Sequence, residues 1–122
     1  ISDHIVENDL PNHQLQLLVT DEPGSGGANH NYLIQTYQSR VIMGEVKFQD
    51  GPIVGDDDRG VNGVTQEVLL AIIIDRLRSF QAGPYMCRDN AIALTHCEEA
   101  LMRLQRRTRD RIKRGVEGKL EK

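Results

Sequence analysis

Seven of the twelve residues at positions 103–114 are cationic: Arg103, Arg106, Arg107, Arg109, Arg111, Lys113 and Arg114, opposed only by Asp110. On a helix, Arg103, Arg107 and Arg111 stand at i, i+4 and i+8 and share one face. Such a row repels itself unless an anion lies across it. Guanidinium forks match phosphate oxygens two at a time, and two forks one turn apart can grip a pyrophosphate or a cyclic phosphodiester. Two further residues fit the same chemistry. Phe80, just before the Gly83-Pro84 connection, is either a core residue or a platform on which a nucleobase stacks. Asn90 is either a solvated helix position or an amide that pairs with an adenine edge. An aromatic ring, an amide and several guanidiniums together describe a nucleotide site.

Other chemistries find less support. The chain carries no HExxH, no nucleophile elbow and no Walker pattern. The glycine-rich run DEPGSGGANHN at 21–31 lacks the Gly-Lys-Ser/Thr of a phosphate loop and reads as a surface connection. Asp56, Asp57 and Asp58 are adjacent, without the fixed spacing of a calcium loop, and read as a solvated turn. His4, His13, His30 and His96 lie far apart, and structural or solvated roles are expected for each; His96 shares a helix with Glu99 at i, i+3. Cys87 and Cys97 on one helix would stand about 15 Å apart, too far for a disulfide, and read as small buried residues. No metal and no cofactor are expected, and the chain reads as a binding protein rather than an enzyme.

The elements that position these residues follow from periodicity. A chain of 122 residues with 39% hydrophobic and 27% charged content is an ordinary globular domain. Its longest apolar run, residues 68–74, is far short of a membrane span. Residues 1–12 read as an arm. Alternating stretches at 13–20, 31–38 and 41–49 predict three antiparallel strands, with Leu15, Leu17 and Val19 on one face and a bulge at Gly44. The glycine-rich segment 51–63 is a hinge. Thr65 caps a helix running to Phe80, with Leu69, Ile72, Ile73, Leu77 and Phe80 as one apolar stripe flanked by Val68, Ala71 and Ile74. A second helix is expected from about residue 85 to 114, closed by Gly115, with its seam at Cys87, Ala91, Leu94, Cys97 or Glu98, Leu101, Leu104, Thr108 and Ile112. The fold class is therefore α+β: a small N-terminal antiparallel sheet, then a long antiparallel two-helix hairpin. One domain is expected over 13–118, with its sheet part at 13–53, its hairpin at 64–115 and a tail at 119–122. Residues 1–58 hold two cations against ten acids, and residues 59–122 thirteen against eight, so an acidic half precedes a basic one. A long helix with a self-repelling end calls for a symmetry mate, so a homo-oligomer is expected.

The run GVNGVTQEVLLAIIIDRLRSFQAGPYMCRDNAIALTHCEEALMRLQRRTRDRIKRGVEG resembles the helical-hairpin domain of phage immune-evasion sponges, shared by the first family of anti-Thoeris proteins and a family of anti-CBASS proteins. The matching pieces are Gly60-Val61-Asn62-Gly63, the segment from Asp75 through Phe80 to Gln81, Cys87-Arg88-Asp89-Asn90-Ala91, and the stretches Arg106-Arg107-Thr108 and Arg114-Gly115-Val116-Glu117-Gly118. The preceding strands, ending in EVKFQDGPI, resemble the anti-Thoeris branch. The resemblance implies a non-enzymatic homodimer or homohexamer in the cytoplasm of the infected bacterium. It implies capture of a cyclic nucleotide signal, glyco-cyclic ADP-ribose or another cyclic ADP-ribose isomer, with cyclic di- or trinucleotides held at separate sites. It implies base contacts from Phe80 and Asn90, phosphate contacts from Arg107 and Arg111, and a further contact from Arg88. The rival reading is a small nucleic-acid-binding protein using the same basic helix, against which the acidic net charge of −3 and the low aromatic content count. A purely structural phage module is the third.

Overall fold

The computed structural model describes residues 1–54 and 60–115. The aspartate run at 56–58 and the expected tail at 119–122 lie outside the described residues. The fold is α+β, a three-stranded antiparallel sheet followed by two long helices. Two compact units divide the chain, Ile1–Gly63 and Val64–Lys122, and each is described by itself.

The first unit begins with a single helical turn, α1 (Leu10–His13), and continues into β1 (Leu15–Val19), β2 (Asn31–Thr36) and β3 (Ile42–Lys47) in the order β1-β2-β3. Alternation sorts their side chains. Leu17 faces Ile34 and Gly44 across the strands, and Val19 faces Tyr32 and Val46, so these residues share one face, while Leu18 pairs with Leu33 on the other. There the Tyr32 and Phe48 rings meet edge to face, centroids 5.8 Å apart. On the opposite face Gln16 opposes Gln35, and the Gln35 amide donates to the Gln16 carbonyl at 2.7 Å. Gly44 pairs with Ile34 and Ile42 with Gln35, which leaves Met43 without a partner residue: the expected bulge lies beside Gly44. The arm at 1–12 touches β1, where the His4 ring donates Nε2–H to the Leu15 carbonyl at 3.0 Å.

Polar clasps shape the loops of this unit. The Asp21 carboxylate accepts the His30 N–H at 2.9 Å and the Asn31 N–H at 3.2 Å. Chiefly through the His30 bond, these hold its carboxyl below the ordinary carboxylate range. The His30 side chain is buried, donates to the Ser25 carbonyl at 3.0 Å and lies 3.5 Å from the Asp50 carboxylate. A Cβ on Gly24 would stand 3.0 Å from both Asp50 and His30, so glycine is what lets the loop close on them. The Asn62 amide brackets the Asp50 backbone, accepting its N–H and donating to its carbonyl, each at 2.8 Å. Gln49 in turn accepts the Asn62 N–H and donates to the Gly60 carbonyl, each at 2.9 Å. Gly63 passes so close to the Phe48 carbonyl group that no side chain fits there. The Gly60-Val61-Asn62-Gly63 motif is thus a backbone clasp.

The second unit is the hairpin of α2 (Gln66–Gln81) and α3 (Arg88–Lys113). Thr65 caps α2 by accepting the Val68 N–H at 3.2 Å, and Glu67 in the first turn complements the helix dipole. The buried line of α2 is centred on Ile74, 3% exposed, the one buried side chain among the described residues of α2. Half-buried Leu70 and Leu77 flank it. The apolar stripe expected from the sequence divides here. Ile72, 60% exposed, and Ile73 point to solvent with Val68, because α3 covers only one side of α2. On α3 the expected seam holds at Ala91, Leu94, Cys97, Glu98, Leu101, Leu104 and Thr108, all half-buried. It departs at both ends. Cys87 is exposed rather than buried, and Ile112 is exposed while Arg111 is buried. The helix starts at Arg88, because Tyr85 and Met86 belong to the connection.

Two outcomes are expected. Ile74→Ala should destabilise the hairpin by about 2–4 kcal/mol, the range for emptying a buried aliphatic site, read from urea unfolding. Asp21 has a lowered carboxyl pKa in the folded chain, so its contribution is complete above the ordinary carboxylate range and is lost as the pH falls through the lowered value. Melting temperatures measured from neutral pH to strongly acid should therefore fall more steeply for the parent than for Asp21→Asn.

Candidate functional site

Each expected site residue lies on the hairpin, and the hairpin sorts them into two groups. Phe80 occupies the last turn of α2 and is half-buried. Arg88 is the first residue of α3 and exposed; Asn90 follows one turn inside the cap and is half-buried. The connection between the helices is closed by the Cys87 N–H, which donates to the Gln81 side-chain carbonyl at 3.1 Å. Cys87 itself caps α3, its Sγ accepting the Asn90 N–H at 3.4 Å. That cap fixes the backbone of Asn90 and leaves its amide group with no hydrogen bond among the described residues. Phe80, Arg88 and Asn90 thus gather at the turn end of the hairpin.

Arg107 and Arg111 lie at the other end. Asn90 and Arg107 are seventeen residues apart on one continuous helix, about 25 Å at 1.5 Å per residue. An extended arginine cannot cross that distance, and no single nucleotide spans it from base to phosphate. The structure therefore does not bring the five residues together within one chain. It separates them into Phe80, Arg88 and Asn90 at the turn end and Arg107 and Arg111 at the other.

The arginine row itself is not uniform. Each four-residue step on an α-helix advances about 40° beyond a full turn, so an i, i+4 row winds around the helix. Arg103 and Arg107 are exposed, whereas Arg111 is 6% exposed and engaged within the protein. Arg114 is likewise engaged. Glu99, Met102, Arg103 and Arg106 line a concavity along α3. Glu98 bonds across the hairpin rather than along the helix, accepting from the Arg78 guanidinium at 2.8 Å. His96 and Glu99 approach to 3.8 Å on a solvated face.

One feature of the site is not signalled by any motif. The Arg76 guanidinium carbon lies 4.8 Å from the Phe80 ring centroid, a cation–π contact one turn long on α2. The i, i+4 spacing of Arg76 and Phe80 is the signal that would have found it. Among the described residues no three His, Cys, Asp or Glu side chains gather as a metal-binding group, and no helix is long and apolar enough to cross a membrane.

Residues 43–109, more than half of the chain, match the family model described as Acb2/Tad1, hairpin domain. The chain is also 42% identical, over 99 residues and 81% of its length, to a protein of Bacillus phage SBSphiJ7 described as Thoeris anti-defense 1. That match spans 66% of the relative's own length, a little under two thirds. Phe80, Arg88, Asn90 and Arg107 fall inside the family match, and Arg111 lies two residues beyond its end.

The burial difference has a measurable consequence. Arg107→Ala should leave stability within about 0.5 kcal/mol of the parent, as for an open surface site. Arg111→Ala removes a buried, engaged guanidinium and should cost about 1–3 kcal/mol. Urea unfolding of both variants checks the contrast.

Proposed function

Since this chain belongs to the Acb2/Tad1 hairpin-domain family, we propose that it is a phage anti-Thoeris sponge that captures a cyclic nucleotide signal in the host cytoplasm and holds it unchanged. The ligand class is a cyclic ADP-ribose isomer, glyco-cyclic ADP-ribose foremost, with cyclic di- or trinucleotides as further ligands. Phe80 supplies the stacking face and Asn90 the base-edge hydrogen bonds. Arg107 and Arg111 supply charge for the phosphates, and Arg88 adds a cation beside Asn90. These are groups that stack, hydrogen-bond and carry charge but do not shuttle protons near neutral pH, which suits retention rather than turnover.

The observation that carries the reading is the separation of the two groups on α3. A ring and an amide stand at one end of a stiff hairpin, and guanidiniums stand at the other. Two copies packed antiparallel place the turn end of one against the arginine end of its partner, and each such contact completes a nucleotide site. A twofold dimer then holds two sites, and a hexamer is an assembly of such pairs. The exposed Val68, Ile72 and Ile73 of α2 provide apolar surface for the contact.

The protein incubated with glyco-cyclic ADP-ribose and then heat-denatured should release the intact ligand; a cleaved product would make it an enzyme. Phe80→Ala and Arg107→Ala should each abolish capture. Unfolding and refolding the two variants together should restore about a quarter of the parental sites, because half of random dimers are mixed and each mixed dimer has one intact site. No restoration would place all the contacts within one chain or outside these residues.

A further inference from the structure

Arg76 and Phe80 stand one turn apart near the end of α2, and the Arg76 guanidinium carbon lies 4.8 Å from the Phe80 ring centroid. Arg78, two residues on, is held by the Glu98 carboxylate across the hairpin. Arg76 forms no ion pair among the described residues, and its contact is the ring. Arg76 is exposed, Phe80 is half-buried, and the guanidinium covers one face of the ring. A nucleobase arriving from solvent meets a guanidinium and not a bare aromatic face.

Resting on the nucleotide reading above, we infer that Arg76 gates Phe80 and becomes a phosphate contact of the same ligand. The base displaces the guanidinium from the ring, and the freed side chain turns its N–H donors to the phosphate oxygens. The exchange is balanced. The ring trades a cation for a stacked base. The guanidinium trades the ring for charge-assisted hydrogen bonds. A nucleoside without phosphate must evict Arg76 with nothing for it to bind. Free pyrophosphate draws Arg76 away and leaves the ring uncovered. The pair therefore selects ligands that carry a base and a phosphate together, which is the chemistry of a cyclic nucleotide signal and not of its fragments.

The test compares the parent with Arg76→Ala, an exposed helix position where alanine is well accommodated. Cyclic ADP-ribose and adenosine are titrated against each by NMR and calorimetry. The inference expects effects of opposite sign. Arg76→Ala should bind cyclic ADP-ribose about tenfold more weakly, the loss of a charge-assisted hydrogen bond, with a shallower dependence on ionic strength. It should bind adenosine more tightly, because the ring is already uncovered. The Arg76 Nε–H resonance of the free parent should show an upfield ring-current shift that Phe80→Leu removes and that cyclic ADP-ribose abolishes on binding. A parent that binds cyclic ADP-ribose, with a variant whose two affinities are unchanged or fall together, overturns the gate and leaves the nucleotide reading standing. A parent that binds no cyclic nucleotide overturns both.

Discussion

The stiffness of α3 governs what this hairpin can do. Twenty-six residues in one unbroken helix hold Asn90 and Arg107 about 25 Å apart, with every backbone hydrogen bond of the intervening turns resisting a bend. A flexible linker between the two groups would let one chain wrap a small ligand. A helix does not.

Burial tells the same story from the other side. Ile74 is the one buried side chain of α2, while Val68, Ile72 and Ile73 on the same helix stay exposed. The sheet unit relies heavily on polar closure: Asp21 on two backbone N–H groups, Asn62 on the Asp50 backbone, Gln49 on Gly60 and Asn62. Such clasps specify loop conformation more than they add stability, since each replaces a bond to water. Val68, Ile72 and Ile73 leave apolar area of α2 open to solvent.

Arg76, Phe80 and Arg78 show how local spacing becomes specificity. All three lie in the last two turns of α2. Arg78 reaches Glu98 and ties the helices together, and Arg76 lies back on the ring. Two arginines two residues apart point some 200° apart around a helix, so one bonds across the hairpin and the other lies along its own helix. A reading of charge alone treats them as equivalent.

Periodicity in the sequence was enough to determine the α+β architecture, the three strands with their bulge beside Gly44, the Thr65 cap and most of the α3 seam. These depend on neighbours within a few positions, where alternation and the 3.6-residue turn act directly. The family match rests likewise on residues in order along the chain. Tertiary structure decided the rest. It split the apolar stripe of α2, because one partner helix covers one side. It turned Cys87 from an expected core residue into a helix cap, buried Arg111 where Ile112 was expected, and laid Arg76 on Phe80. It also parted the five site residues into two groups. Spacing along a chain records which face a residue takes, but the neighbour that covers that face, and the distance a rigid helix imposes, arise only when elements pack.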